Sequence, residues 1–221
     1  YIYQVLFFLK KKLTSELSFK IPIICLGNIH VGGTGKTPLS ILIAKELILK
    51  KKKPAIIKKY YPDHSDEHNL INEKLNCLFL NKQRSKALDA AIKNQYDFAI
   101  LDDGFQDYSI KKNLNILCFN SEQLIGNGMV LPSGPLRESL SSIKKAQIII
   151  INGNKNQLFE NKIKSISKKV EVLYSKYVPT NIEKFKNKNL FAFAGIGNPS
   201  NFFKLLTDNN LKVKKKIEFP D

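Results

Sequence analysis

The stretch Gly32-Gly33-Thr34-Gly35-Lys36-Thr37 decides the fold of this chain. Its last three residues complete the phosphate-binding loop pattern of a glycine, four residues and Gly-Lys-Ser/Thr, although His30 stands where that pattern has its first glycine. A short apolar run at residues 21–26 precedes the loop, and apolar residues at helical spacing follow it. A strand before the loop and a helix after it are the usual context of this pattern, so we predict a phosphate-binding site.

The residue types of the loop indicate how it binds ATP. Backbone N–H groups and the N-terminus of the following helix attract an anion. We expect Lys36 to reach the β- and γ-phosphates as a catalytic residue and Thr37 to bind Mg²⁺. Residues 32–37 are therefore the predicted nucleotide-binding residues, and ATP and Mg²⁺ are the predicted cofactors.

Further apolar runs predict a parallel sheet. They lie at residues 54–57, 77–80, 98–101, 115–119 and 147–151 and alternate with helical stretches such as 85–93. This order is typical of an α/β, P-loop NTPase-like parallel sheet with helices on both faces. We place this core at residues 21–180. A polar linker and the start of a smaller C-terminal α/β subdomain, with strands at 190–195 and 211–219 and a helix at 201–206, are expected within 181–221.

The N-terminal residues 1–20 differ from the rest. An apolar run at residues 1–9 is followed by lysines, and no apolar run approaches the about 20 residues that a spanning helix needs. We expect a membrane-proximal helix that lies on a membrane surface, packs on the core or is the remnant of a longer helix. Because the first residue is Tyr1 and not methionine, we also expect the chain to be a fragment at this end.

The composition is strongly basic, with 36 lysines and arginines against 19 acidic residues and a net charge of +17. Solvated lysine-rich faces, an anionic membrane, nucleic acid and a phosphorylated substrate are all compatible with this charge. The three cysteines are scattered in apolar runs, which indicates buried thiols in a reducing compartment and excludes a disulfide framework or zinc site.

Acidic residues mark two loops. Asp102 and Asp103 follow the apolar run at 98–101, where a Walker B carboxylate that binds Mg²⁺ is expected; the sequence leaves open which of the two contacts the metal directly. Asp66 and Glu67 lie in a predicted polar loop after the second strand. A carboxylate there could accept the proton of an attacking hydroxyl.

A third loop, Gly126 to Glu138, is rich in glycine and proline, which indicates a defined backbone path. It ends in Arg137, a potential phosphate partner, and Glu138, a potential metal ligand. A rigid connector would have the same composition.

These segments together resemble the tetraacyldisaccharide 4′-kinase family, the lipid A 4′-kinases of Gram-negative bacteria. The resemblance lies in residues 27–38, in Asp102-Asp103-Gly104-Phe105-Gln106, in residues 126–138 and in residues 193–199, which fall in the family's order. It implies transfer of the ATP γ-phosphate to the 4′-hydroxyl of a lipid A disaccharide precursor, at the cytoplasmic face of the bacterial inner membrane.

The resemblance also implies roles for individual residues. Asp66 takes the place of the catalytic base, and Asp102, Asp103 and Glu138 take the places of the Mg²⁺-site carboxylates. Besides Asp66 and Lys36, we expect Asp103 and Arg137 to be catalytic residues. An anionic glycolipid and an anionic leaflet would then explain the basic charge without nucleic acid. The sequence does not indicate an oligomeric state.

Three departures from the family pattern stand out. Asp107 replaces a usual histidine, Lys58-Lys59-Tyr60-Tyr61 replaces a frequent Ser-Arg-Gly-Tyr, and the family continues past Asp221 to a further active-site histidine. If that C-terminal part is absent, a phosphate-binding module without catalysis is an alternative.

Two further alternatives come from other classes. A GTPase usually carries Asn-Lys-x-Asp after a late strand, whereas Asn154-Lys155-Asn156-Gln157 ends in glutamine. A basic ATPase that binds nucleic acid would suit the charge but would leave the Gly126 to Glu138 loop and the Asp66-Glu67 pair unexplained.

Overall fold

A computed structural model describes residues 14–62, 65–196 and 198–219. Seven parallel strands form one sheet in the order β3-β2-β4-β1-β5-β6-β7. The strands are β1 (Ile23–Gly27), β2 (Pro54–Lys59), β3 (Leu78–Asn81), β4 (Phe98–Leu101), β5 (Leu114–Asn120), β6 (Ile148–Asn152) and β7 (Glu171–Ser175). The predicted parallel α/β sheet is confirmed.

Four helices connect the strands of this sheet: α1 (Lys36–Leu49), α2 (Ser65–Lys74), α3 (Arg84–Lys93) and α4 (Gln157–Ile166). A 3-10 helix, Leu140–Lys145, precedes β6. Parallel strands need such crossover connections, because each strand must return to the same edge before the next one begins.

The sheet buries apolar side chains on both faces. Alternate residues of β1 point to opposite sides, so Ile23 and Cys25 belong to one core cluster and Leu26 to the other. Helices α3 and α4 and the 3-10 helix contribute to the first cluster, whereas α1 and α2 contribute to the second. The predicted helices on both faces are therefore present.

A second, two-stranded parallel sheet follows. Strand β8 (Asn189–Ala194) pairs with β9 (Lys212–Glu218), and helix α5 (Pro199–Asp208) connects them. Ala192, Ala194 and Phe203 form their own small core. The predicted division near residue 180 falls between the two sheets, next to a 3-10 helix, Ile182–Phe185, inside the expected linker.

The structure corrects three expectations. The predicted helix of residues 1–20 does not include residues 14–20, where Leu17 instead bridges to Ile110; residues 1–13 lie outside the described part of the chain. The polar loop predicted around Asp66 is the first turn of α2. Strand β7 and helix α4 had no predicted counterpart.

The described ranges 14–62, 65–196 and 198–219 contain no helix that combines the length and the apolar character needed to cross a membrane.

Candidate active site

The predicted phosphate-binding loop connects β1 to α1. Gly35 is the N-cap of α1 with φ +84°, and Gly32 has φ +111°, both in the left-handed region that favours glycine. The buried Asn28 side chain donates from Nδ2 to Thr34 Oγ1 at 3.2 Å and to the Gly32 carbonyl at 3.3 Å. Because Gly35 brings no side chain to cap α1, the first N–H groups of the helix are free to donate hydrogen bonds to a bound anion.

Asp102 follows β4 at the edge next to this loop and is fully buried. One carboxylate oxygen, Oδ2, accepts from Thr37 Oγ1 at 3.0 Å and from Lys58 Nζ at 2.8 Å. The other oxygen accepts from Ser40 Oγ at 3.2 Å. A carboxylate beside a threonine hydroxyl suits Mg²⁺, a hard cation that takes oxygen ligands and uses only one or two protein carboxylates beside substrate phosphates.

Asp103 points away from Asp102, toward two cations. Its carboxylate lies 3.5 Å from Lys36 Nζ and 3.1 Å from Arg137 Nη1. Its backbone adopts φ +55°, which is uncommon for a residue with a side chain. Arg84 Nη2 donates to the Asp103 carbonyl at 2.7 Å and so stabilises this turn. The two adjacent acids therefore face different partners.

The electrostatics of Asp103 follow from these contacts. Burial alone would raise the pKa of this carboxyl group, but Lys36 and Arg137 outweigh burial and hold the pKa below its usual value. The carboxylate is therefore charged at neutral pH.

Glu138 lies apart from this group. Its buried carboxylate accepts from Gln106 Nε2 at 3.2 Å on one oxygen, and from Ser142 Oγ at 2.6 Å and Lys145 Nζ at 2.8 Å on the other. Burial would raise its pKa, yet the hydrogen bonds from Lys145, Ser142 and Tyr108 lower it.

The predicted metal ligands are thus only partly brought together. Thr37 contacts Asp102, whereas no hydrogen bond between described residues joins Glu138 to Thr37, Asp102 or Asp103. Across the described residues no group of three or more His, Cys, Asp or Glu side chains is placed to hold a metal ion. The metal role of Glu138 stays a prediction.

Asp66, the predicted base, lies exposed in the first turn of α2. Its neighbour Glu67 forms an ion pair with Lys58, and Lys58 pairs in turn with Asp102. Helix α2 begins shortly after the carboxyl end of β2, so Asp66 lies at the same edge of the sheet as the phosphate loop.

Asp107, which stands where the resembled family usually has histidine, has a structural partner. Its carboxylate accepts from Ser109 Oγ at 2.6 Å and pairs with Arg84 at 3.3 Å. Burial would raise its pKa, but the Ser109 hydrogen bond and the Arg84 charge lower it. Asp107 therefore helps to orient Arg84, the residue that supports the Asp102–Asp103 turn.

The segment weighed for guanine recognition also has a structural role. The Asn156 side chain caps α4 by accepting from the Phe159 N–H group at 2.9 Å. Asn156 therefore marks a helix start, which is a common position for asparagine.

Sequence reasoning missed Lys58, Ser40 and Arg84 as members of the site. One sequence signal could have identified Lys58. It directly follows the apolar run of β2, and a lysine in a buried strand needs a charged partner. Ser40 lies one helical turn after Lys36 on α1, a spacing that indicates a shared face. For Arg84, at the start of α3, we find no sequence signal.

Comparison with known proteins points to one family. The profile of a family described as tetraacyldisaccharide-1-P 4′-kinase matches residues 1–221. The tetraacyldisaccharide 4′-kinase of Pelagibacter ubique (strain HTCC1062) is 41% identical over 225 residues, covering 99% of this chain and 71% of the relative. That of Francisella tularensis subsp. novicida (strain U112) is 32% identical over 248 residues, covering 96% of this chain and 76% of the relative.

A solved structure shares the fold. The “apo” form of LpxK from Aquifex aeolicus in complex with ATP superposes with a TM-score of 0.74, covers 100% of this chain and 79% of that chain, and is 24% identical.

Proposed function

Since this chain belongs to the tetraacyldisaccharide 4′-kinase family, we propose that it transfers the γ-phosphate of ATP to the 4′-hydroxyl of a tetraacyldisaccharide 1-phosphate in lipid A biosynthesis. One observation carries the assignment to this site. The phosphate loop before α1 and the Asp102–Asp103 pair after β4 lie in contact at the carboxyl edge of the sheet. Such an arrangement is what phosphoryl transfer from a nucleotide requires.

Lys36 and Arg137 hold the transferring phosphate. Both lie beside Asp103, and both carry charge that suits the equatorial oxygens of a phosphoryl group in the transition state. The N-terminus of α1 and the backbone of residues 32–35 bind the remaining phosphate oxygens. Positioning and charge stabilisation of this kind supply most of the catalysis in phosphoryl transfer.

Thr37 and Asp102 are the side chains that would hold Mg²⁺, because their oxygens already lie 3.0 Å apart and Asp102 is fully buried. When bound there, Mg²⁺ would neutralise part of the negative charge of the nucleotide phosphates. Asp103 orients Lys36 and Arg137 rather than acting as the first metal ligand.

Asp66 acts as the general base. Its carboxylate accepts the proton of the 4′-hydroxyl while that oxygen forms a bond to the γ-phosphorus and the bond from the γ-phosphorus to ADP breaks. An exposed carboxylate at the edge of the site is accessible to a large glycolipid acceptor.

The same family assignment favours a place for the protein at the membrane. We propose a peripheral association with the cytoplasmic face of the inner membrane, where the net charge of +17 attracts an anionic leaflet and an anionic substrate.

A direct assay tests the proposed activity. The protein is incubated with γ-labelled ATP, Mg²⁺ and a tetraacyldisaccharide 1-phosphate in detergent micelles, and the lipid fraction is counted. Labelled lipid is the expected product. If ATP binds but no lipid is labelled, the acceptor is wrong, and stimulation of ATP hydrolysis by DNA would then favour the nucleic-acid alternative.

A further inference from the structure

Lys58 is a buried cation between two acids from different parts of the fold. Its side chain is 7% exposed, and its Nζ lies 2.8 Å from Asp102 Oδ2 and in hydrogen-bond contact with Glu67 Oε2. Strand β2, the end of β4 and helix α2 are thereby joined at one ammonium group. A charge this deeply buried requires paired partners, so the arrangement restricts where all three elements lie.

The two ends of this link differ in rigidity. Asp102 is fully buried, directly follows the interior strand β4, and also accepts hydrogen bonds from Thr37 and Ser40. Helix α2 is attached less firmly, because only His68 and Ile71 among its ten residues are buried. Lys58 therefore connects a fixed carboxylate to the first turn of a helix that has few buried contacts.

We propose that Lys58 is a positioning residue that holds the first turn of α2, and with it Asp66, against the carboxylate on the metal side of the site. This inference rests on the proposed kinase function and on Asp66 as its base. Glu67 is adjacent to Asp66 in the same helical turn, so a contact that fixes Glu67 also fixes the backbone that carries the base. Without the contact between Lys58 and Glu67, Asp66 is displaced relative to the γ-phosphate of ATP.

Hydrogen exchange measures the link without depending on catalysis. In the whole chain without nucleotide or metal, Lys58→Met should raise the exchange rates of the amides at residues 69–74, which are hydrogen-bonded within α2, by about tenfold, because local opening of α2 becomes easier. Amides of the sheet strands β1 and β5 should change less. Glu67→Gln removes the negative charge that pairs with Lys58. Because the Glu67 side chain is 40% exposed, this variant should stay folded and should raise the exchange rates of the same amides.

Lys59→Met is the matched control. Lys59 is the next residue of β2, its ammonium group lies 5.2 Å from the ring centre of Tyr61, and its side chain points to the other face of the strand. It loses the same charge as Lys58→Met but should leave α2 exchange unchanged.

Kinetics separate a positioning role from a general structural one. Lys58→Met should lower kcat by about 100-fold, the order of loss that a base displaced by 1 Å produces, while the KM for ATP stays within about threefold. In the Asp66→Ala background, Lys58→Met should lower kcat little further, because a residue that acts through Asp66 has no effect on kcat once Asp66 is gone.

Two results would overturn the proposal. One is α2 exchange in both Lys58→Met and Glu67→Gln that matches the wild type. The other is a full multiplicative loss of kcat in the double variant Lys58→Met/Asp66→Ala, which would show that Lys58 acts independently of the base. An inactive wild-type protein would instead refute the proposed function and leave the exchange experiment valid.

Discussion

Lys36→Ala is the most direct test of the phosphate site. Lys36 Nζ is held 3.5 Å from Asp103 Oδ1 with its side chain 13% exposed, so it is a preorganised donor in a largely water-excluded position. Removal of one such donor typically raises the barrier by about 2.7–4 kcal/mol. At about 1.36 kcal/mol per tenfold change in rate, kcat should fall by about 100- to 1,000-fold.

The fold should survive this substitution. Asp103 keeps its ion pair with Arg137 at 3.1 Å, and loss of one partly exposed pair costs about 1 kcal/mol, or about 2–4 °C in melting temperature for a chain of this length. Exposed Lys45 on the same helix provides the control Lys45→Ala, which should retain wild-type turnover. Initial rates of lipid labelling and a melting curve are measured for each protein. A Lys36→Ala enzyme within tenfold of wild-type kcat would refute the assignment.

Three further predictions address the base, a buried acid and the loop backbone. Asp66→Ala should lower kcat by about 100-fold or more with little change in ATP affinity, since a base acts in the transition state; lost ATP binding with normal kcat would make Asp66 a nucleotide ligand. Glu138 has a lowered pKa, so its stabilisation is complete above its unfolded-state pKa of about 4.5 and disappears as the pH falls through the lower folded-state pKa. In denaturant titrations, Glu138→Gln should therefore be less stable than wild type by a constant amount from about pH 6 to 8, and the difference should shrink below about pH 4; a difference that grows in acid would contradict this sign. Gly35→Ala should weaken ATP binding in calorimetry by about tenfold, because φ is +84° and a residue with a Cβ atom is strained there by about 1–2 kcal/mol; unchanged affinity would contradict the role of this glycine in the loop.

The parts of the site that are contiguous in sequence were predictable. Residues 32–37 lie between a strand and a helix, and Asp102 and Asp103 directly follow a buried strand, so local pattern placed both at the carboxyl edge of the sheet. Asp103 pairs with Arg137, which lies 34 positions further along the chain, because the loop that ends at Arg137 folds back onto the site. A contact between residues so far apart in sequence cannot be read from a local pattern.

Lys58 shows why the rest was missed. It reaches Asp102 because β2 pairs with β4 in a register that sets Ile57 beside Leu101, and strand order and register are not local properties. The mainly polar sequence of helix α2 predicts a loop. Its acidic first turn stabilises the helix start, but the helix buries only His68 and Ile71. Strand β7 lies at the edge of the sheet with its first and third residues exposed, so its apolar signal is weak.

The position of Asp103 has a consequence for the site before ATP arrives. Lys36 and Arg137 are like charges that would repel each other, and Asp103 acts as an internal counter-ion that keeps both directed to one point. If Lys36 and Arg137 bind phosphate as proposed, an incoming phosphate meets two cations that are already oriented and partly neutralised by Asp103. In the proposed kinase, we expect this neutralisation to moderate the attraction of the two cations for any phosphate group, including those of ADP.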